Sequence, residues 1–183
     1  MSVTTRVFAG AIALMAVTGC GGPAAAQQSQ DVTACVNKEK ASPDIQIGGC
    51  TAAIQSGQWK SEDLAWAFKN RGIAYDNKGQ YDRAIQDYDQ AIKLNPSDAD
   101  VFSNRGVAYG NKGQYDRAIQ DHDQAIKLNP NYADAFYNRG VAYAKKNDLQ
   151  RALADFKKFS ELAPSDPDGP KAVERVTKAL SGR

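Results

Sequence analysis

Residues 72–96, GIAYDNKGQYDRAIQDYDQAIKLNP, return 34 residues later as 106–130, GVAYGNKGQYDRAIQDHDQAIKLNP. The two copies differ at three of 25 positions: Ile73/Val107, Asp76/Gly110 and Tyr88/His122. A third, looser copy keeps the same step. Asn70-Arg71-Gly72 recurs as Asn104-Arg105-Gly106 and as Asn138-Arg139-Gly140, and Pro96 recurs as Pro130 and Pro164. A fixed period of this length means stacked supersecondary units, each burying its apolar face against its neighbours. Such a chain folds as an extended array, without one central core.

Each period predicts two helices. Across 62–78, Ala65, Phe68, Gly72 and Tyr75 fall on one stripe at helical spacing. Gly79 and Gly113 stand where that helix must stop, and Asn147 takes the place in the third copy. Gly and Asn accept the left-handed conformation that closes a helix. A second helix is expected over 81–94, with Ala84, Ile85, Tyr88, Ala91 and Ile92 as its apolar face. Pro96 follows it and has no N–H to continue the ladder. Small Gly72 and Ala84 let the two helices approach closely, with Phe68, Tyr75 and Tyr88 filling the space around them.

This pattern resembles the tetratricopeptide repeat (TPR). The residues that carry the resemblance are Phe68, Gly72, Tyr75, Ala84, Tyr88, Ala91 and Pro96 in the first copy. They are Phe102, Gly106, Tyr109, Ala118, His122, Ala125 and Pro130 in the second. In the third they are Phe136, Gly140, Tyr143, Ala152, Phe156, Phe159 and Pro164. The departures are Arg71, Arg105 and Arg139 in place of Leu, His122 in place of an aromatic, and Phe159 in place of Ala. The resemblance spans 65–166 and implies an all-α solenoid of antiparallel helix pairs, with full repeats over 65–98, 99–132 and 133–166. Ile47, Cys50 and Ile54 repeat the spacing of Ile85, Tyr88 and Ile92, so 27–60 is expected to be a degenerate N-terminal helix pair. Ala172, Val173, Val176, Ala179 and Leu180 form one stripe after Pro170, so 167–183 is expected to be a C-terminal capping helix.

Residues 1–26 read as a signal peptide. Arg6 precedes the apolar run Val7–Val17, whose 11 residues suit a signal core. A membrane span needs about 20 residues. Two cleavage routes stay open. Val17-Thr18-Gly19-Cys20 resembles a lipobox, which would lipidate Cys20 and tether the chain to a membrane. Ala24-Ala25-Ala26 suits ordinary signal peptidase, leaving Gln27 first and the protein free in the periplasm. Either route leaves Cys35 and Cys50 as an even pair in an oxidising compartment. A disulfide between them is expected; two separate buried thiols are the alternative.

Composition narrows the function classes. A net charge of +2 gives no basic field that would recruit nucleic acid. One histidine and no C-x-x-C pair leave no soft-ligand metal site of ordinary spacing. No G-x-S-x-G, phosphate-binding glycine loop or H-E-x-x-H occurs, so no catalytic set, cofactor or small-molecule substrate is expected. His122, between Asp121 and Asp123, falls where the first copy has Tyr88 and reads as a packing residue. Arg71, Arg105 and Arg139 recur with Asp87, Asp121 and Asp155, always 16 residues later, which predicts an ion pair between the two helices of each repeat.

The resemblance implies that the first helices line a concave groove for an extended or helical peptide of a protein partner. It places Lys69, Asn70, Ile73, Asn77, Ser103, Asn104, Val107, Asn111, Tyr137, Asn138, Val141 and Lys145 on that face. Asn70, Asn104 and Asn138 form a ladder of amides suited to a peptide backbone. Some family members clamp a C-terminal carboxylate. Lys69 and Asn104 fit two of those places, but Ile73, Asp134 and Asn138 stand where Asn, Lys and Arg would be needed. Two rivals remain to an exported interaction module. One is a cell-envelope scaffold working through its caps or convex face. The other, weaker, is a thiol oxidoreductase using Cys35 and Cys50.

Overall fold

The computed structural model describes residues 32–36 and 41–182. The expected signal segment, with Cys20, lies outside them. A helical stretch over 32–36 (α1) precedes α2 (Pro43–Gln55) and a 3-10 turn, Ser61–Leu64. Three pairs follow: α3 (Ala65–Asn77) with α4 (Tyr81–Leu94), α5 (Ala99–Asn111) with α6 (Tyr115–Leu128), and α7 (Ala133–Lys145) with α8 (Leu149–Leu162). Helix α9 (Asp168–Ser181) closes the array. No strand occurs among the described residues. None of their helices is long and apolar enough to cross a membrane.

Every helix packs on the next one in the chain from α2 to α9, and the first helices also touch one another, α3 on α5 and α5 on α7. The first helices therefore stand side by side on one continuous face. The close contact within each pair is made at a glycine. A Cβ on Gly72 would stand 2.6 Å from Tyr88, on Gly106 2.8 Å from His122, and on Gly140 2.9 Å from Phe156. Each ring fills the space a side chain would take. The turns inside the pairs use the expected caps: Gly79, Gly113 and Asn147 have φ of 69°, 74° and 65°. At the far end of the second helices, the Asn95 and Asn129 N–H groups donate to the carbonyls of Ala91 and Ala125, one residue before proline.

Polar ladders reinforce the apolar ones. Arg71, Arg105 and Arg139 each grip an aspartate of their own repeat with two bonds, from Nε at 2.8 Å in all three. The second bond, from a terminal nitrogen, measures 2.8 Å to Asp87, 2.7 Å to Asp121 and 2.7 Å to Asp155. Each guanidinium also lies over the aromatic ring three residues before it, Phe68, Phe102 or Phe136. This accounts for arginine where the family has leucine: the side chain caps the ring and satisfies a buried carboxylate together. The remaining terminal nitrogen reaches back one unit, from Arg105 to Asp89 and from Arg139 to Asp123, both 2.5 Å, and from Arg71 to Thr51 of α2 at 3.1 Å. A second ladder pairs Lys78 with Asp44, Lys112 with Asp82 and Lys146 with Asp116. Helix α2 thus takes the place of a second helix ahead of the first full repeat. Cys35 and Cys50 face each other in its core, Cα atoms 4.6 Å apart and sulfurs at bonding distance.

Candidate functional site

The first-helix face is built by α3, α5 and α7, and the polar side chains on it have different fates. Lys69 bonds Asp98, the N-cap of α5, at 2.9 Å, with Asp100 at 4.0 Å, so it ties α3 to the start of α5. Asn70 is buried. Ser103 is also buried, beside the Tyr132 hydroxyl. Burial and the neighbouring Asp100 charge push Tyr132 up to about 12. Tyr137 turns into the third repeat, its ring 5.4 Å from Phe156 and 5.0 Å from Phe159. Phe159, where the family has alanine, is thus one half of a pair with Tyr137. Ile73 packs against the core of the first two repeats, and Asn77 is exposed.

Asn104 and Asn138 are half-buried. Their amides have no hydrogen-bond partner among the described residues. Asn111 lies beside the Asp76 carboxylate, whose pKa is raised by burial and held back by that amide; Asp76 Oδ1 is buried without a partner.

Val107, Asn111, Asn138, Val141 and Lys145 come together around one cleft of ≈ 320 Å³ between the second and third repeats. That size is at the lower end of small-ligand pockets. His122 lines the same cleft and is 1% exposed. Burial, with the Arg139 charge, pushes it down to about 4, so the imidazole is neutral at neutral pH. Its Nδ1 is buried without a partner. Lys145 is exposed at the mouth of the cleft. Gly106, Gly110, Tyr115, Ala118 and Ala142 complete the wall; the sequence alone did not place them or His122 on a binding surface. The signal for Gly110 and His122 was their departure from the first copy. Among the described residues no group of three or more His, Cys, Asp or Glu side chains is arranged to hold a metal ion.

Family models described as TPR repeat match residues 74–113 and 111–147, and one described as tetratricopeptide repeat matches 133–166. No curated protein matches the chain significantly. Among solved structures, the chain is similar to the first TPR of Spaghetti (RPAP3) bound to HSP90 peptide SRMEEVD, with 28% identity and a TM-score of 0.63 over 64% of this chain and 93% of that one. It is similar to the second TPR domain of human RPAP3 in complex with HSP70 peptide SGPTIEEVD, with 30% identity and a TM-score of 0.62 over 64% of this chain and 98% of that one. The Arabidopsis OM64 TPR domain is 27% identical, with a TM-score of 0.64 over 66% of this chain and 99% of that one. The matched repeats run from 74 to 166, just over half of the 183 residues, on a fold of the same helix pairs, and the chain belongs to the tetratricopeptide-repeat family.

Proposed function

We propose that this protein is an exported interaction module that holds a segment of a protein partner along the face of α3, α5 and α7. The observation that carries the reading is the pair of half-buried amides, Asn104 and Asn138, one repeat apart and free of internal hydrogen bonds among the described residues. An amide offers two donors and an acceptor, the groups that a peptide backbone matches. Two similar TPR domains are known with peptides bound, which supports the class of partner. Lys69 is already held by Asp98, so the groove lacks a free cation where the terminal-carboxylate clamp begins.

Export rests on the signal segment and on Cys35 and Cys50, whose pairing suits an oxidising compartment. Mass spectrometry of the mature protein tests it. A lipidated Cys20 or a free Gln27 at the N-terminus is expected; a chain that keeps Met1 contradicts export.

The groove is tested with the double variant Asn104→Ala/Asn138→Ala. Crosslinked partners are captured from the native envelope with wild type and variant, and the identified partner is titrated by calorimetry. Each lost hydrogen bond weakens binding by about 0.5–1.5 kcal/mol. The melting temperature should stay within a degree or two of wild type. Unchanged affinity with an intact fold moves binding to the caps or the convex face.

A further inference from the structure

At three positions the cleft between the second and third repeats carries a smaller side chain than its counterpart one repeat earlier. Val107, Gly110 and His122 all line it, and they are the three positions at which 106–130 differs from 72–96. Each replaces a larger side chain, Ile73, Asp76 or Tyr88. All three shortened side chains fall around one cleft.

Packing does not demand the glycine. A Cβ on Gly110 would meet only the Ala118 Cβ, at 3.9 Å, an ordinary contact. A helical glycine with room for a side chain weakens the helix without improving its packing. Packing does not demand an imidazole either. The same position holds Tyr88 in the first repeat and Phe156 in the third, whereas His122 leaves Nδ1 buried and unpaired. Two buried side-chain atoms among the described residues lack a partner, Asp76 Oδ1 and His122 Nδ1, and of these residues only His122 lines this cleft. Buried polar atoms are normally satisfied, so an orphan beside a cavity points to a partner that enters from outside.

The charge change gives the chemistry of that partner. At the first boundary a carboxylate, Asp76, stands beside Asn111. One repeat on, Gly110 removes the carboxylate, and Lys145 stands where Asn111 stood. Lys145 has no ion-pair partner among the described residues. The cleft has lost an anion and gained a cation.

We propose that this cleft is an anchoring pocket for one internal Glu or Asp side chain of the partner segment, a specificity that rests on the groove reading above. The carboxylate accepts hydrogen bonds from the Lys145 ammonium at the mouth and from the Asn138 amide on the wall. The His122 imidazole, neutral and buried, offers an N–H at the floor. Val107 and Val141 meet the methylene stem. Lys69, paired with Asp98, takes no part.

The test uses pools of N-acetylated, C-amidated nonapeptides, so that no terminal carboxylate is present. Each pool fixes one position as Glu, Asp, Gln, Asn or Leu. Wild type should retain the Glu or Asp pool about tenfold better than its amide counterpart, the size of a hydrogen bond to a charged group. Two variants should erase that preference. Val107→Ile/Gly110→Asp/His122→Tyr installs side chains that already fold one repeat earlier, and Lys145→Gln removes the cation alone. The chain has one histidine, so its imidazole resonance reports on the cleft without ambiguity. It should shift when the Glu pool binds. Equal retention of Glu and Gln pools overturns the proposal and leaves the groove standing. So does an acidic preference that survives both variants, or one that leaves the His122 resonance unmoved. Retention of no pool at all overturns the groove reading together with it.

Discussion

Arg105 holds Asp121 of its own repeat with two bonds, Asp89 of the preceding repeat with a third, and lies over the ring of Phe102. Burial works against its charge, but the two carboxylates outweigh burial and raise its pKa. Asp121 is 8% exposed, so removing the guanidinium would strand a buried anion. Arg105→Gln should therefore cost about 3 kcal/mol in chemical denaturation, at the lower end for a broken buried pair. A loss under about 0.5 kcal/mol, the size of an ordinary surface change, would contradict that role. The pair within each repeat was legible in the sequence, because both members recur at one spacing. His122 gives a second prediction. Its pKa is about 4 in the fold, against an ordinary 6.5, so the folded state binds fewer protons than the unfolded. Stability is then full above pH 6.5, falls as pH drops toward 4, and levels off below. The loss is about 3 kcal/mol at 1.36 kcal/mol per unit. Melting curves of wild type and His122→Tyr across pH 7 to 4 should diverge by about that amount; parallel curves would contradict the burial of a neutral imidazole. The binding role proposed for this residue was not legible, because a single sequence shows a substitution at a packing position and not the cavity it opens.

Helix α5 carries two glycines with opposite physical standing. Gly106 faces His122 so closely that a Cβ would stand 2.8 Å from the ring, whereas a Cβ on Gly110 has room. Gly106→Ala should destabilise by about 1–3 kcal/mol through overpacking, in spite of the better helix former. Gly110→Ala should stabilise by about 0.5–1 kcal/mol through helix propensity alone. Thermal melts of the two variants should move in opposite directions; a shift of the same sign would contradict the packing account. The glycine, proline and aromatic pattern made the pairs legible, and α4 runs over Tyr81–Leu94 as that pattern predicts. The start of the first repeat was less so. The expected helix begins at 62, but α3 begins at Ala65 after a 3-10 turn. Asp98 caps α5 by accepting from the Asp100 N–H. One step earlier that position is Leu64, which makes no side-chain cap, and the end tightens instead. The groove was legible as a face but not as a set of free groups. Family geometry places Lys69, Asn70, Ser103 and Tyr137 on it, but an ion pair holds Lys69, burial covers Asn70 and Ser103, and the ring of Tyr137 packs on Phe156 and Phe159.

As a whole, the molecule is a one-dimensional stack in which each unit is held by its neighbours, so its ends need special measures. At the C-terminal end the backward arginine ladder stops: the step of 34 from Asp123 lands on Lys157, and from Arg139 on Val173, an apolar residue of α9 that packs against the core of the third repeat. At the N-terminal end the apolar core is small: Cys35, Cys50 and Ala53 pack against Ala67, with Ile54, Leu64 and Trp66 around them. A disulfide closing a loop of about 15 residues contributes about 3 kcal/mol in the chain-entropy model. Thiol labelling of the denatured, exported protein should find neither cysteine until reductant is added, and reduction should melt the N-terminal pair first. Full labelling before reduction would contradict the pairing. The central claim, that partners bind the face of the first helices, is tested most directly by photo-crosslinking in the living envelope. A photoreactive residue is placed in turn at Asn77 and Asn111 on first helices, and at Gln86 and Gln120 on second helices, all four exposed. The account predicts one shared partner captured from Asn77 and Asn111 and none from Gln86 or Gln120. Capture from Gln86 and Gln120 alone would contradict it.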